Sequence, residues 1–412
     1  MRVVAARQPS RRLTASAVTI HDVAPGILVV SEVFPPAIGG SGALLENIYR
    51  RIEDRRVRVL AHEAPPRLPP YAGPLEVSRV SMTAPDWGVI RPASLWRHLR
   101  VARVIRTSLD HEPAIVHCAR ALPEGLSAAM ALAGRAGQYM CWLHGEELGY
   151  ASTSRELTWL ARRVYRGAAA VIANSQNSKQ MLVRDWDVPD SRVHVVYPGV
   201  DTERFRPDVD GRAMRARVAS DDDVLFLSVG RLQRRKGHDM VLRALARLRQ
   251  SVPRVRYVIV GDGPHQAQLE AEAGALDVMD IVHFVGPASD ADLPGWYAAA
   301  DVFVMPNRSD GVDFEGFGIV FLEAAAAGLP VIGGRSGGVP EAVADDVTGR
   351  LVDGENLEEL MSAMQAYARS PDLRKTAGTR GRLRAVQQFT WDIVARRFLD
   401  RIALGPFAMT VR

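Results

Sequence analysis

Short, mainly apolar runs of three to eight residues recur along this 412-residue chain, often followed by a glycine- or asparagine-containing turn. Gly26–Val33, Val57–Ala61, Leu75–Met82, Ala114–Cys118, Gln138–Leu143, Ala168–Ala173 and Val193–Val196 form one series. Val224–Val229, Val255–Val260, Ile281–Val285, Val302–Met305 and Pro330–Ile332 form a second. Runs that are apolar throughout, without polar alternation, read as strands buried on both faces of a parallel sheet. Between them lie segments with helical spacing, such as Leu44, Leu45, Ile48 and Tyr49. Alternation of strand and helix that restarts after about residue 200 predicts two α/β domains.

The stretch Met305–Val343 concentrates the chemistry. A strand ending at Met305 is followed by a polar loop, Asn307–Asp313, and Glu315-Gly316-Phe317-Gly318 is expected to open a helix that runs to Ala327. Ala324–Ala327 favours helix, and Gly328 stands where a C-cap glycine is expected. A second glycine-rich turn, Gly333–Gly338, precedes another helix at Pro340. Two helix N-termini on one sheet edge offer free amides to an anion, and glycine lets backbone approach a ligand closely. Glu315 and Glu323 are eight residues apart, about two turns if both are helical. They are either a capping carboxylate and a solvated one, or a pair that accepts hydrogen bonds from vicinal hydroxyls.

Other turns carry weaker signals. Arg231 and Lys236 flank the loop Gly230–Gly237 before a helix from His238, which makes an anion site or a basic surface turn. His144-Gly145 closes a strand, where a doubly wound fold meets its ligand, and it reads equally as structural. Gly39 and Gly40 follow the first strand without completing G-x-G-x-x-G, which argues against a dinucleotide fingerprint. Gly261-Asp262-Gly263-Pro264 is a further strand-to-helix turn, and the Asn/Ser residues at 174–178 suffice as helix caps.

Composition narrows the classes. A hydrophobic fraction of 47% supplies two cores, and no apolar run approaches the ~18 residues of a membrane span. Cys118 and Cys141 lie in strand-like runs and read as reduced core residues of a cytoplasmic protein. Residues 1–25 lack the apolar region of a secretory signal; a disordered extension is expected, with a transit peptide as the alternative. Net charge is +5, and the first 200 residues hold 25 basic against 17 acidic residues. That excess either meets an anionic surface or acceptor, or simply solubilises. In SLWRHLRVARVIR (94–106), Arg97, Arg100 and Arg103 recur with Leu95, Leu99, Val101 and Ile105 between them. This amphipathic basic helix is an ordinary surface helix or a membrane-surface element. Three D-x-D triplets (185–187, 208–210, 221–223) fall in connecting segments and read as solvated acids; no His/Cys cluster has zinc spacing.

The run Glu315-Gly-Phe-Gly-Ile-Val-Phe-Leu-Glu323 is similar to the E-x7-E signature of retaining glycosyltransferases of family four, which have the GT-B fold. Gly230-Arg-Leu-x-x-x-Lys-Gly237 resembles the same family's phosphate-binding segment, and the likeness extends from Gly26 to Ile402. The resemblance implies two Rossmann-like doubly wound domains facing each other across a cleft. Residues 26–200 would form the acceptor side, residues 201–388 the donor-binding side, and a C-terminal helix within 389–412 would pack back on the first domain. It implies transfer of a hexose with retention, mannose from GDP-mannose being the best match, and UDP-glucose or UDP-N-acetylglucosamine the alternative. A nucleotide-sugar epimerase or a catalytically silent nucleotide-binding protein would share the shape.

Carried over by position, Glu315, His144, Arg231 and Lys236 would serve catalysis, with Arg231 and Lys236 at the cleft edge on the diphosphate. Gly39, Gly40, Gly261, Asp262, Gly263, Gly316, Phe317 and Gly318 would meet the donor, and Glu323 its ribose. No cofactor and no metal ion are expected. The partners implied are a nucleotide-sugar donor and a glycan or lipid-linked acceptor, at the inner face of the membrane if the basic helix docks there, and no nucleic acid.

Overall fold

A computed structural model describes residues 26–37, 39–82, 86–112, 114–252 and 254–403. The expected extension 1–25, and 404–412 of the C-terminal segment, lie outside the described residues. The first sheet contains β1 (Gly26–Ser31), β2 (Val57–His62), β3 (Glu76–Val80), β4 (Ala114–Cys118), β5 (Tyr139–Leu143), β6 (Ala170–Ala173) and β7 (Val193–Val195). All pairings are parallel, in the order β3-β2-β1-β4-β5-β6-β7. The second contains β8 (Val224–Val229), β9 (Val255–Val260), β10 (Val282–Gly286), β11 (Val302–Met305), β12 (Val331–Gly334) and β13 (Gly349–Val352). Its order is β10-β9-β8-β11-β12-β13, again parallel throughout.

Strand order reverses beside β1 in one sheet and beside β8 in the other. At such a point successive loops leave toward opposite faces, and a crevice opens at the carboxyl ends of the strands. The apolar runs explain the layers. Leu28 and Val30 face Val101, Ile105 and Leu126 on one side of β1, while Ile27 and Val29 face Leu44, Ile48 and Phe398 on the other. Phe398 belongs to the helix Trp391–Ala403, which packs against the first sheet, where Phe398 stacks on Trp142 at 5.1 Å. The chain thus crosses between domains twice, and the crossings are tied where the Val200 amide donates to the Phe389 carbonyl at 2.8 Å.

The helix Pro92–His111 is rotated relative to its sequence reading. Arg97 and His98 are buried, whereas Leu95, Trp96 and Leu99 are exposed, Trp96 by 73%. The same face carries Val101, Ala102 and Ile105 into the first core, and the preceding loop presents carbonyls to its two polar members. Arg97 donates to the Met82 and Asp86 carbonyls, and His98 Nε2 to that of Trp87.

The two domains also touch through polar groups. Glu341, in the short helix Val339–Ala342 of the second domain, accepts the Gln176 and Asn177 amides at 2.7 and 3.0 Å. It caps the helix Gln176–Trp186 of the first domain.

Candidate functional site

The crevice between the domains encloses about 850 Å³. Gly39, Gly40, Arg120, His144 and Glu147 line it from the first domain, and Arg231, Glu315, Gly316, Phe317 and Gly318 from the second. Glu315 does not begin the helix as expected. The helix is Ile319–Ala326, and Glu315–Gly318 form the loop before it, with Gly318 at φ +88° as N-cap. The loop bends because Gly316 passes against the first domain: a Cβ there would stand 2.0 Å from the His144 carbonyl oxygen.

Glu315 is buried and anchored through one oxygen. Its Oε2 accepts from Arg235 Nη1 at 2.8 Å, Lys236 Nζ at 2.5 Å and Asn307 Nδ2 at 2.9 Å. Among the described residues no hydrogen bond reaches Oε1. Burial by itself would raise this carboxyl, but Lys236 and Arg235 outweigh it and hold the pKa below the usual value. The group is therefore an ionised acceptor with one oxygen committed and the other free for a ligand hydroxyl.

Lys236 departs from its expected place at an exposed cleft edge. It is buried and paired with Glu315, because the turn Arg234–Lys236 directs it inward. Arg231 does stand exposed in the cleft, and its side chain makes no ion pair among the described residues. The residue that the motif did not single out is Arg235. Its guanidinium is buried between Glu315, Asp313 at 3.1 Å and Glu146 of the first domain at 2.9 Å. The only signal was its place in the Arg-Arg-Lys run, where nothing distinguishes an inward from an outward cation.

His144 donates from Nε2 to the Ala119 carbonyl at 3.0 Å, since a carbonyl can only accept. Burial, aided by the Arg120 cation, pulls its pKa down to about 4. The imidazole is neutral near pH 7, and Nδ1 keeps a lone pair that accepts but cannot donate. Beside it, Glu147 accepts the His144 amide at 2.7 Å, and burial pushes its carboxyl up to about 7.

Two family models divide the chain. Residues 38–204 match "Glycosyltransferase Family 4" and residues 211–384 match "Glycosyl transferases group 1". The chain is 34% identical, over 92% of its length and 98% of the relative, to a GDP-mannose-dependent alpha-(1-6)-phosphatidylinositol monomannoside mannosyltransferase of Mycolicibacterium smegmatis. The chain belongs to glycosyltransferase family 4. The glycosyltransferase is also 35% identical, over 58% of its chain and 57% of the relative, to a D-inositol 3-phosphate glycosyltransferase of Kribbella flavida. Solved structures share the fold. Anabaena HepE in complex with UDP and glucose aligns with TM-score 0.75 at 23% identity, covering 92% of this chain and 100% of that one. Sucrose-phosphate synthase from Thermosynechococcus elongatus aligns with TM-score 0.75 at 22% identity, covering 91% and 98%. The architecture is thus GT-B, and the protein is a hexosyltransferase.

Four of the expected donor-binding residues lie outside the cavity of this glycosyltransferase. Gly261, Asp262 and Gly263 pack against the Gly230–Leu232 turn, where the Leu232 amide donates to the Asp262 carbonyl at 2.7 Å. Glu323, one turn into the helix, is half-buried and its Oε2 accepts from the Tyr297 hydroxyl at 2.7 Å. Burial raises its pKa, against the Tyr297 hydrogen bond. The acidic triplets are engaged elsewhere: Asp185 and Asp187 with Arg184 and Arg166, Asp208 and Asp210 with Arg206 and Arg212, and Asp222 and Asp223 with Arg254 and Arg256. Among the described residues no helix is long and apolar enough to cross a membrane.

Proposed function

We propose that this enzyme transfers mannose from GDP-mannose, with retention, to a lipid-linked glycan such as phosphatidylinositol monomannoside. The observation that carries this reading is the Glu315 carboxylate, held ionised by Arg235 and Lys236 with Oε1 free, in a cleft shared with the unpaired Arg231. Those groups suit the two ends of a sugar nucleotide. The nucleotide and acceptor come from the Mycolicibacterium smegmatis relative, which matches over nearly its whole length.

Bond breaking separates a cationic sugar from a nucleoside diphosphate whose terminal phosphate becomes a dianion, so catalysis rests on charges already in place. Arg231 and the free amides opening the helix Ile319–Ala326 meet the leaving diphosphate. Glu315 Oε1 and His144 Nδ1 accept hydroxyl hydrogens of the sugar and orient its ring. Neither carries a proton to give near pH 7, so the acceptor hydroxyl passes its proton to the departing phosphate on the same face. In this proposal the nucleoside reaches past the cavity along the helix Ile319–Ala326 to Glu323, which holds the ribose, Gly39 and Gly40 close over the phosphates, and no metal ion takes part.

The exposed face of Pro92–His111 supports work at a membrane surface. Ile90 is exposed by 77% and Trp96 by 73%; Leu99 and the cations Arg91, Arg100 and Arg103 are also exposed. An apolar strip edged by cations suits the cytoplasmic leaflet and its anionic lipids.

Isothermal titration with GDP, UDP and their mannose and glucose esters tests the donor, followed by transfer to phosphatidylinositol monomannoside in micelles. Binding of GDP-mannose at least tenfold tighter than UDP-glucose is expected. Preference for a UDP-sugar would establish the alternative donor.

A further inference from the structure

We infer that Tyr150, braced by Trp87 and Arg120, is the shelf that carries the acceptor's reacting ring, a pyranose or cyclitol that stacks by its C–H face; the inference rests on the transferase reading above. Tyr150 lines the cleft on the first-domain side and is 45% exposed. It is held rather than loose. Its ring meets Trp87 at 4.5 Å between centroids and 66° between planes, and the Arg120 guanidinium stands 5.1 Å from the Trp87 centroid. A rigid aromatic surface left uncovered in a polar cleft gains most from a ligand that offers apolar C–H faces with hydroxyls around its rim. Sugar and cyclitol rings have that shape.

The rim has matching acceptors. Thr153, which also lines the cleft, donates its hydroxyl to the Tyr150 carbonyl and keeps lone pairs free, and the Glu146 side chain is 66% exposed. Arg120 is already paired with Glu32 at 3.0 Å and Glu124 at 3.2 Å, so its guanidinium braces the shelf and is not left over for a ligand anion. Arg231, which forms no ion pair among the described residues, belongs to the opposite wall and the donor. Trp87 also lies three residues before Ile90, which leads into the exposed face of the helix Pro92–His111. Ring and tail of one amphiphile can therefore be bound at once, the ring inside and the tail outside.

The test uses the full chain. With GDP-mannose and phosphatidylinositol monomannoside, Tyr150→Ala should raise the acceptor KM tenfold or more and leave the donor KM within twofold. Tyr150→Phe should stay near wild type, and Trp87→Ala, which removes a positioning residue, should shift the same parameter. An acceptor KM unchanged in Tyr150→Ala would overturn the shelf. Saturation-transfer NMR with methyl α-mannoside and myo-inositol, run with and without GDP, gives a readout independent of turnover. Ring-proton signals in wild type that vanish in Tyr150→Ala support the shelf; no signal from either sugar, or signals that persist, overturn it. If wild type fails to bind GDP-mannose, the donor reading falls alone, and the nucleotide-free sugar arm still decides the shelf.

Discussion

Glu315 and Lys236 form a buried ion pair at 2.5 Å, so the lysine of the phosphate-binding segment holds a carboxylate rather than facing the cleft. Arg231, five residues earlier, is exposed and unpaired among the described residues. Two cations that look equivalent in the motif therefore do different work.

Their substitution should separate accordingly. Arg231→Ala should leave the melting temperature unchanged and lower kcat/KM ten- to a hundred-fold, since a charge-assisted hydrogen bond contributes about 1.5–3 kcal/mol. Lys236→Ala should lower both, because losing one partner of a buried pair costs about 3–5 kcal/mol, tempered here by Arg235 and Asn307. Calorimetry alongside steady-state kinetics is the check. Equal melting temperatures for the two variants would show that the Lys236 pair does not support the fold.

The glutamates separate by ligand. GDP carries the ribose and no sugar, so Glu323→Gln should weaken GDP measurably in isothermal titration, while Glu315→Gln should leave it within about 0.5 kcal/mol and act on turnover. The opposite pattern would exchange the two assignments.

Stability should depend on pH in two windows. His98 and His144 are pulled down to about 4, and His117 and His238 to about 3, in each case first by burial. Folded, they stay neutral where the unfolded chain charges them at about 6.5. Their contribution is therefore full above pH 6.5 and lost as pH falls toward 4. Glu147 runs the other way. Its folded value of about 7 lies above the ordinary 4.5, so the fold retains a proton that the unfolded chain releases. As pH rises from 4.5 toward 7 its contribution is lost, which offsets part of the histidines' gain. Melting curves should show a steep acid loss, and Glu147→Gln should make the rise in stability from pH 4.5 to neutrality steeper.

Glu341 caps a helix of the other domain. Glu341→Ala should loosen closure by about 0.5–2 kcal/mol, the usual loss at an N-cap. Small-angle scattering should show a larger radius of gyration, with kcat reduced and GDP affinity retained. An unchanged radius would mean that the crossings at Val200 and Phe389 set the closure alone.

Activity should survive EDTA, because in the proposed mechanism Arg231 and the helix amides carry the leaving-group charge. Loss on chelation, restored by magnesium or manganese, would bring a metal into the mechanism.

Much of the architecture is legible along the chain, because a strand buried on both faces has to be apolar throughout, and a strand-to-helix turn at a sheet's carboxyl end favours glycine. The runs Val224–Val229 and Val302–Met305 declare themselves in this way, as does the E-x7-E frame, whose residues are neighbours in sequence. The partners that complete the site are not neighbours. Arg235 meets Glu146 across 89 positions, Glu341 meets Gln176 across 165, and Gly316 lies against the His144 carbonyl. Periodicity carries no record of such pairings, because each residue alone is an unremarkable surface charge or turn glycine. The same holds for Pro92–His111. Helical spacing offered two stripes, one with leucines and one with arginines, and the hydrophobic effect alone would bury the leucines. Val101, Ala102 and Ile105 pack into the first core on the same face as Arg97 and His98, which meet the Met82, Asp86 and Trp87 carbonyls, and Leu95, Trp96 and Leu99 are left exposed. Local pattern determined which segments became strands and helices; only the packed structure decided which faces they turned to one another, since the cost of an unsatisfied carbonyl depends on what the fold brings beside it.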